Sequence, residues 1–213
     1  MAYVIHGAPG SGSGIIEAVC AEIGVEFNLR DLDARNDEHR AEDYAAVNPN
    51  RKMPALELPD GELLTETLAI VLALDEIHRE AAILPAPGTE ARRRAVRWMA
   101  FLAAELYPLV EILDYPGRFV EEAAAEALQD RVRELWRERW LILEDQVQGP
   151  WLLGSTFCAT DLYLSHLVRW DVPASWREEH LPRIVALAEA VAARPALAGV
   201  YARNFRLGLP DTG

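Results

Sequence analysis

Hydrophobic positions along this chain follow two regimes, short strand-like and helix-like runs up to about residue 80 and long helical periodicities beyond about residue 89. Tyr3-Val4-Ile5 forms a short apolar run that predicts a strand. Ile15, Ile16, Val19, Cys20 and Ile23 then recur at three- and four-residue steps and predict a helix that stops at Gly24, a residue suited to a helix C-terminus. Val25 to Leu29 reads as a second strand, and the Asp- and Arg-rich stretch to Val47 as a solvated loop with irregular helix. Ala55-Leu56-Glu57-Leu58 alternates as a half-buried strand does, and Asp60-Gly61 supplies the turn that joins it to an antiparallel partner. Leu68, Ile70, Val71 and Leu74 restore helical spacing, so a helix opens near Glu66-Thr67. The predicted order is β-α-β-α-β-β-α, an α/β layer.

Ile83 to Gly88, rich in Pro and Gly, reads as a linker. Past Thr89 the pattern is helical throughout. Trp98, Phe101, Leu102, Leu106, Leu109 and Leu113 form one stripe, and Val132, Leu135, Trp136, Trp140 and Leu143 another. Such stripes are the inward faces of packed helices. The division this predicts is an α/β thioredoxin-like N-terminal domain at 1–80, followed by an all-α helical bundle domain at 89–213.

Charge narrows the function classes. The 213 residues carry a formal net charge of −13 and no Lys/Arg block. Phosphate backbones are held by clustered cations, so a nucleic-acid partner is not expected. No apolar run reaches the roughly 18–20 residues that span a bilayer, and the N-terminus lacks the charged and apolar regions of a secretory leader; the expectation is a cytoplasmic protein with no membrane partner. Cys20 and Cys158 show no metal-ligand spacing and no disulfide framework, so no metal is expected. Cys20 falls on the apolar face of the first helix, as a small core residue.

The chemistry concentrates between Asn48 and Thr67. Pro54 at a strand entrance cannot donate to a ladder and is a candidate for a cis bond in a tight turn. A bend there leaves the backbone of Met53 facing outward, able to pair with an extended peptide. The helix start at Glu66-Thr67 adds unpaired N–H groups and a positive dipole end, suited to a carboxylate. The ordered set Asn48-Pro49, Lys52, Met53-Pro54, Asp60-Gly61, Glu66-Thr67 resembles the glutathione-binding half of the glutathione S-transferase superfamily, with Met53 where valine is common and Thr67 where serine is common. The resemblance implies that Met53 pairs its backbone with the cysteinyl part of glutathione. It implies also that Glu66 accepts from the γ-glutamyl ammonium, that Thr67 donates to the neighbouring carboxylate, and that Lys52 meets the glycyl carboxylate.

Gly7 to Gly14 is glycine-rich and lies between a strand and a helix. Its first six positions fit the phosphate-loop pattern, but Ser13 stands where lysine is required and Gly14 where a hydroxyl should hold magnesium, so nucleotide binding is rejected. By the resemblance, this loop faces the glutathione sulfur. A free thiol titrates near 8.5, and lowering that by about two units takes roughly 2.7 kcal/mol of selective anion stabilisation. Ser11 and Ser13 are the candidate hydroxyl donors: counting from Pro9 selects Ser11, and counting back from Ile16, Ile23 and Gly24 selects Ser13. Gly12 matches, by one alignment, the cysteine of the beta-class bacterial enzymes, so a mixed-disulfide nucleophile is absent there. His6 lies near the tyrosine position of other classes and is read as ending the first strand.

In the helical half, Phe157-Cys158-Ala159-Thr160-Asp161-Leu162 resembles the superfamily's capping motif, with Cys158 in place of Ser or Thr; Asp161 is a folding device there. The Ala-Arg-Pro-Ala run at 193–196 shares the resemblance, and Trp98 to Tyr107 resembles the fourth helix of beta-class enzymes. Tyr107 and Tyr115 are candidate lining residues for a second-substrate site, Tyr115 more simply as a partly buried bundle residue. The expected activity is transfer of glutathione, as co-substrate, to a small hydrophobic electrophile by a homodimer. The alternatives are a non-catalytic glutathione-binding or protein-interaction module, and a glutathione-dependent peroxidase or disulfide reductase.

Overall fold

The computed structural model describes residues 2–170 and 173–205. They form two compact units, one holding the described residues to Pro85 together with 191–205, the other running from Ala86 to Ala190.

The first unit is thioredoxin-like. Strands β1 (Tyr3–Gly7), β2 (Phe27–Asp31), β3 (Ala55–Glu57) and β4 (Leu63–Thr65) make one sheet in the order β2-β1-β3-β4. β1 pairs parallel with β2 and antiparallel with β3, and β3 pairs antiparallel with β4. Helix α1 (Ser13–Ile23) closes on Gly24, whose N–H bonds the Cys20 and Ala21 carbonyls and whose φ of 82° turns the Val25 N–H back onto Cys20 O. Helix α2 is Thr67–Ile77. Ile5, Ile15, Ile16, Val19, Leu56, Ile70, Val71 and Leu74 are fully buried and supply the core of this unit. The expected irregular helix before Val47 resolves into three short 3-10 turns, Ala34–Asn36, Glu38–Arg40 and Asp43–Ala46. Polar side chains there bond nearby backbone, as when Asp33 Oδ1 accepts from Asn36 N, and so compete with a regular helix.

The last described stretch of this unit contains a short 3-10 turn, Pro195–Leu197, and helix α9 (Ala198–Asn204). Arg194 makes a bidentate pair with Glu22 of α1 at 2.6 and 2.7 Å. Such a fork-to-fork geometry is stronger and more directional than a single charged contact.

The second unit is helical. α3 (Glu90–Phe101), a five-residue π segment (Leu102–Leu106) and α4 (Tyr107–Asp114) follow one another directly. The widened turn has a cause in sequence. Pro108 has no N–H and its ring would press on the carbonyl four residues back in a regular helix. In the π turn, Tyr107 N–H reaches Leu102 O instead. α5 (Glu122–Glu144) buries Trp136 and Trp140, packed edge to face at 5.6 Å. α6 (Ala159–Leu167), α7 (Ala174–His180) and α8 (Pro182–Ala192) follow. Asp161 accepts from Cys158 N and Leu152 N, both at 2.9 Å, so the carboxylate closes the cap while the buried Cys158 thiol, pushed up to about 12, stays protonated. Phe157 packs on Trp151 at 5.0 Å.

Candidate functional site

Strand register decides which residues meet. In the β3–β4 hairpin Ala55 opposes Thr65, so Met53-Pro54 and Glu66-Thr67 leave the ladder at the same end. In the β1–β3 pair His6 opposes Ala55, so the loop that follows Gly7 starts at that end too. The sheet therefore brings the serine loop, the Met53 bend and the start of α2 to one edge from three segments far apart in sequence.

Met53-Pro54 is a cis peptide bond. Met53 lies outside the strand ladders and half-buried, while Pro54 is buried. The peptide ahead of it is held from below: Asn48 Nδ2 donates to Lys52 O at 2.7 Å, and the Tyr44 hydroxyl donates to the same carbonyl at 3.3 Å. Tyr44 is buried, which lifts its hydroxyl to about 12 and keeps it a donor. The Lys52 side chain is exposed. The hairpin turn closes with Gly61 N on Leu58 O at 2.9 Å and Gly61 at φ 94°. Glu66 adopts φ 67° and ψ 109°, a backbone region costly for a residue with a Cβ, and its side chain is exposed. Thr67 is the first residue of α2 and is buried.

The serine loop is built on a turn. Ser11 N donates to Ala8 O at 3.0 Å, with Pro9 and a positive-φ Gly10 between them, the pattern of a type II turn. Ser11 Oγ accepts from Ala8 N at 3.1 Å and from Ser13 N at 3.3 Å. With two donors on its lone pairs, that oxygen acts as a donor in a further bond. Ser13 is 1% exposed and has two acceptors inside the protein for its single proton, Ala8 O at 3.2 Å and Glu17 Oε1 at 3.3 Å, while its own oxygen lies 3.1 Å from Ser11 Oγ, placed to accept from it. Gly7 must be glycine here, because a Cβ would lie 2.1 Å from Ser13 Cβ. The first turn of α1 points its N–H end at this loop and favours an anion there.

Three contributors carry no signal in the sequence. Glu17 of α1 is 1% exposed, and Asn204 Nδ2 donates to its Oε2 at 3.0 Å. Burial raises its proton affinity, opposed by bonds from Asn204, Ser13 and Arg203. Asn204 Oδ1 in turn accepts from Gly10 N at 2.9 Å. Tyr44 is the third. None belongs to a local motif, since each acts across a long sequence gap or from beneath an irregular segment.

Tyr107 belongs to the helical unit, half-buried with its ring 6.3 Å from Tyr163 and 5.4 Å from Trp170. Tyr115 is 38% exposed, with the Arg118 guanidinium 3.8 Å over its ring. His6 lies inside β1, 2% exposed, 6.3 Å from the Tyr44 ring and 3.7 Å from Glu57 Oε2. Cys20 is buried and its thiol is pushed up to about 12, which removes it from thiolate chemistry at neutral pH. Among the described residues no group of three or more His, Cys, Asp or Glu side chains is arranged to hold a metal ion, and no single helix is long and apolar enough to cross a membrane.

Comparison with known proteins bears on the same segments. The family model for the glutathione S-transferase N-terminal domain matches residues 15–77. An uncharacterized GST-like protein of Escherichia coli strain K12, YncG, is 29% identical over 202 residues, covering 94% of this chain and 97% of that protein. Glutathione S-transferase GST-4.5 of Xanthomonas campestris pv. campestris is 30% identical over 149 residues, 68% of this chain and 70% of its own. Among solved structures, a glutathione transferase homolog from Sulfitobacter with bound glutathione superposes with a TM-score of 0.85 at 23% identity, covering 96% of this chain and 99% of that one, a likeness of fold.

Proposed function

This chain belongs to the glutathione S-transferase superfamily, and we propose that it binds glutathione at the edge of its sheet, ionises the thiol and adds it to a small hydrophobic electrophile. The observation that carries this reading is the register of the β1–β3–β4 ladder, which delivers the Met53 bend, the Glu66-Thr67 helix start and the serine loop to one end. In this assignment the Met53 backbone pairs with the cysteinyl residue beside Pro54. Glu66 accepts from the γ-glutamyl ammonium, and Thr67 with the first N–H groups of α2 takes the α-carboxylate. Lys52 faces the glycyl carboxylate. Ser11 donates to the sulfur, helped by the N-terminal end of α1. What supports Ser11 over Ser13 is that Ser13 is buried with its proton directed at Ala8 O and Glu17.

The protein's work is thus anion stabilisation and proximity rather than acid–base chemistry on the electrophile. Tyr107 is assigned to the second substrate, supported by its half-buried place among aromatic rings. A homodimer is assigned on family membership, and light scattering tests it.

Ultraviolet absorbance of thiolate across pH, on protein saturated with glutathione, is the deciding measurement. The proposal expects a titration well below the free thiol's value near 8.5. Ser11→Ala moves it back up and costs about tenfold in turnover at neutral pH for each unit lost. Ser13→Ala leaves it in place. Equal effects of the two substitutions remove the assignment of Ser11. Glutathione that binds yet titrates as in water converts the reading to a non-catalytic binding module.

A further inference from the structure

We propose that Asn204, at the end of α9, is a positioning residue for the thiol-ionising loop: its amide oxygen fixes the Ala8–Ser11 turn and thereby the aim of the Ser11 hydroxyl. The inference rests on the assignment of that loop to the ligand sulfur.

In a type II turn the N–H of the third residue points away from the turn, and in this loop that residue is Gly10. Asn204 Oδ1 takes this N–H at 2.9 Å, across 194 residues of sequence. The amide cannot face the other way, because an N–H facing an N–H makes no bond. Its nitrogen is also used, donating to Glu17 Oε2 at 3.0 Å and to Val200 O at 3.0 Å. Glu17 Oε1 accepts from Ser13 at 3.3 Å, so the carboxylate touches the loop from its helical side. Arg203 completes the network, its Nε 3.2 Å from Glu17 Oε2 and its Nη2 paired with Asp31 at the end of β2.

Burial gives the arrangement its force. Asn204 is 8% exposed and Glu17 1%. A polar network in such a setting, with both ends of the Asn204 amide bonded and the Arg203 charge beside Glu17, favours one geometry, because breaking the amide's bonds strands buried groups. Docking α9 needs none of this, since Val200 and Tyr201 are already buried apolar contacts and Arg194 already pairs with Glu22. The polar bond goes instead to one peptide of the loop, next to the proposed donor. Losing it frees the Gly10 peptide to rotate and Ser11 with it, while Lys52, Met53, Glu66 and Thr67 keep their own supports.

Four proteins separate the possibilities: the parent, Asn204→Ala, Asn204→Asp and Arg194→Ala. The aspartate keeps an oxygen for Gly10 and shares one proton with Glu17 in place of the amide N–H. Arg194→Ala loosens the same C-terminal stretch without touching the loop. Each is measured for glutathione affinity by calorimetry, thiolate titration, the pH profile of kcat/KM with a chromogenic aryl halide, and melting temperature. The expectation for Asn204→Ala is affinity within about twofold of the parent, with kcat/KM lowered about tenfold at pH 6.5 and recovering by about pH 9, the mark of a thiol titrating about one unit higher. Asn204→Asp restores most of the loss, and Arg194→Ala shifts melting without shifting the profile. An Asn204→Ala profile superposable on the parent's overturns the inference, as does an Arg194→Ala profile moved equally, which marks a packing effect. If the parent itself gives no binding heat, the assignment of the site fails first; if it binds with an acid-shifted thiol, a failure of Asn204 is a failure of this inference alone.

Discussion

Glu66 carries two opposed demands on one residue. Its backbone sits at φ 67°, where a Cβ is strained, while its carboxylate is the group assigned to an ammonium ion. Glycine relieves the first and abolishes the second. Strain at such a position costs about 1–3 kcal/mol, and the extra unfolded-state entropy of glycine offsets about 0.5–1 kcal/mol of that gain. Glu66→Gly is therefore expected to raise stability by about 1 kcal/mol net, the balance of those two ranges, and to weaken glutathione binding by about 1–3 kcal/mol through loss of a charge-assisted contact. Urea unfolding and calorimetry on the same preparation check both signs. A variant less stable than the parent means the position is shaped by a contact of the side chain, and unchanged affinity removes Glu66 from the ligand. Ser11 and Ser13 show why chemistry at this scale is only partly legible. Sequence proposes both hydroxyls by equivalent counts, and only burial and the inward partners Ala8 and Glu17 tell them apart.

Elements are legible wherever one local rule governs them. Gly24 ends α1, Asp60-Gly61 closes the hairpin, and Pro54 stands at the strand entrance; each acts through its own backbone. Segments whose order comes from afar are not. The 34–46 region has no period because its turns are three or four residues long, and its value lies in Tyr44 reaching Lys52 O. The π segment does not show in the apolar spacing, because Leu102 and Leu106 fit a helix whether the turn is widened or not, and Pro108 signals a break without saying what form it takes. His6, expected to end the first strand, is an interior strand position, buried where Tyr44 covers the sheet. Burial lowers its proton affinity, and Arg30 lowers it further, against a smaller opposing pull from Glu57. The sign follows. Below the unfolded value near 6.5 the unfolded chain binds a proton that the native chain refuses, so His6 costs stability as pH falls from about 6.5 and costs nothing above it. His6→Gln is expected to shrink the loss of urea midpoint between pH 7.5 and pH 5.5 relative to the parent. An equal loss in both proteins places that acid sensitivity in other groups.

Across the whole molecule, the charge balance predicts that repulsion among carboxylates outweighs the attraction of the surface ion pairs. The chain has 34 acidic and 21 Lys or Arg residues, a formal net charge of −13. Many of its cations are already committed in pairs, and the exposed ones, such as Arg131 with Glu134 and Arg133 with Asp130, are of the kind that contributes little. Salt acts on attraction and repulsion alike, weakening exposed pairs and screening the excess of carboxylates. The excess acts over longer range. The Debye length shrinks from about 30 Å at 0.01 M to about 8 Å at 0.15 M, so repulsion across the surface is removed while close contacts between partly buried partners, as in Arg194–Glu22, are not. Raising sodium chloride from about 10 to about 200 mM at pH 7.5 should therefore raise the melting temperature by about 2–4 °C, the response of a chain of this size to about 1 kcal/mol. Chloride is preferred to sulfate, which strengthens burial by a separate route. Near pH 5 carboxylates begin to take up protons and the net charge falls, so the same salt step should then do less. A melting temperature that drops with salt at pH 7.5 would show that ion pairs, and not the surplus of negative charge, set the electrostatic balance of this fold.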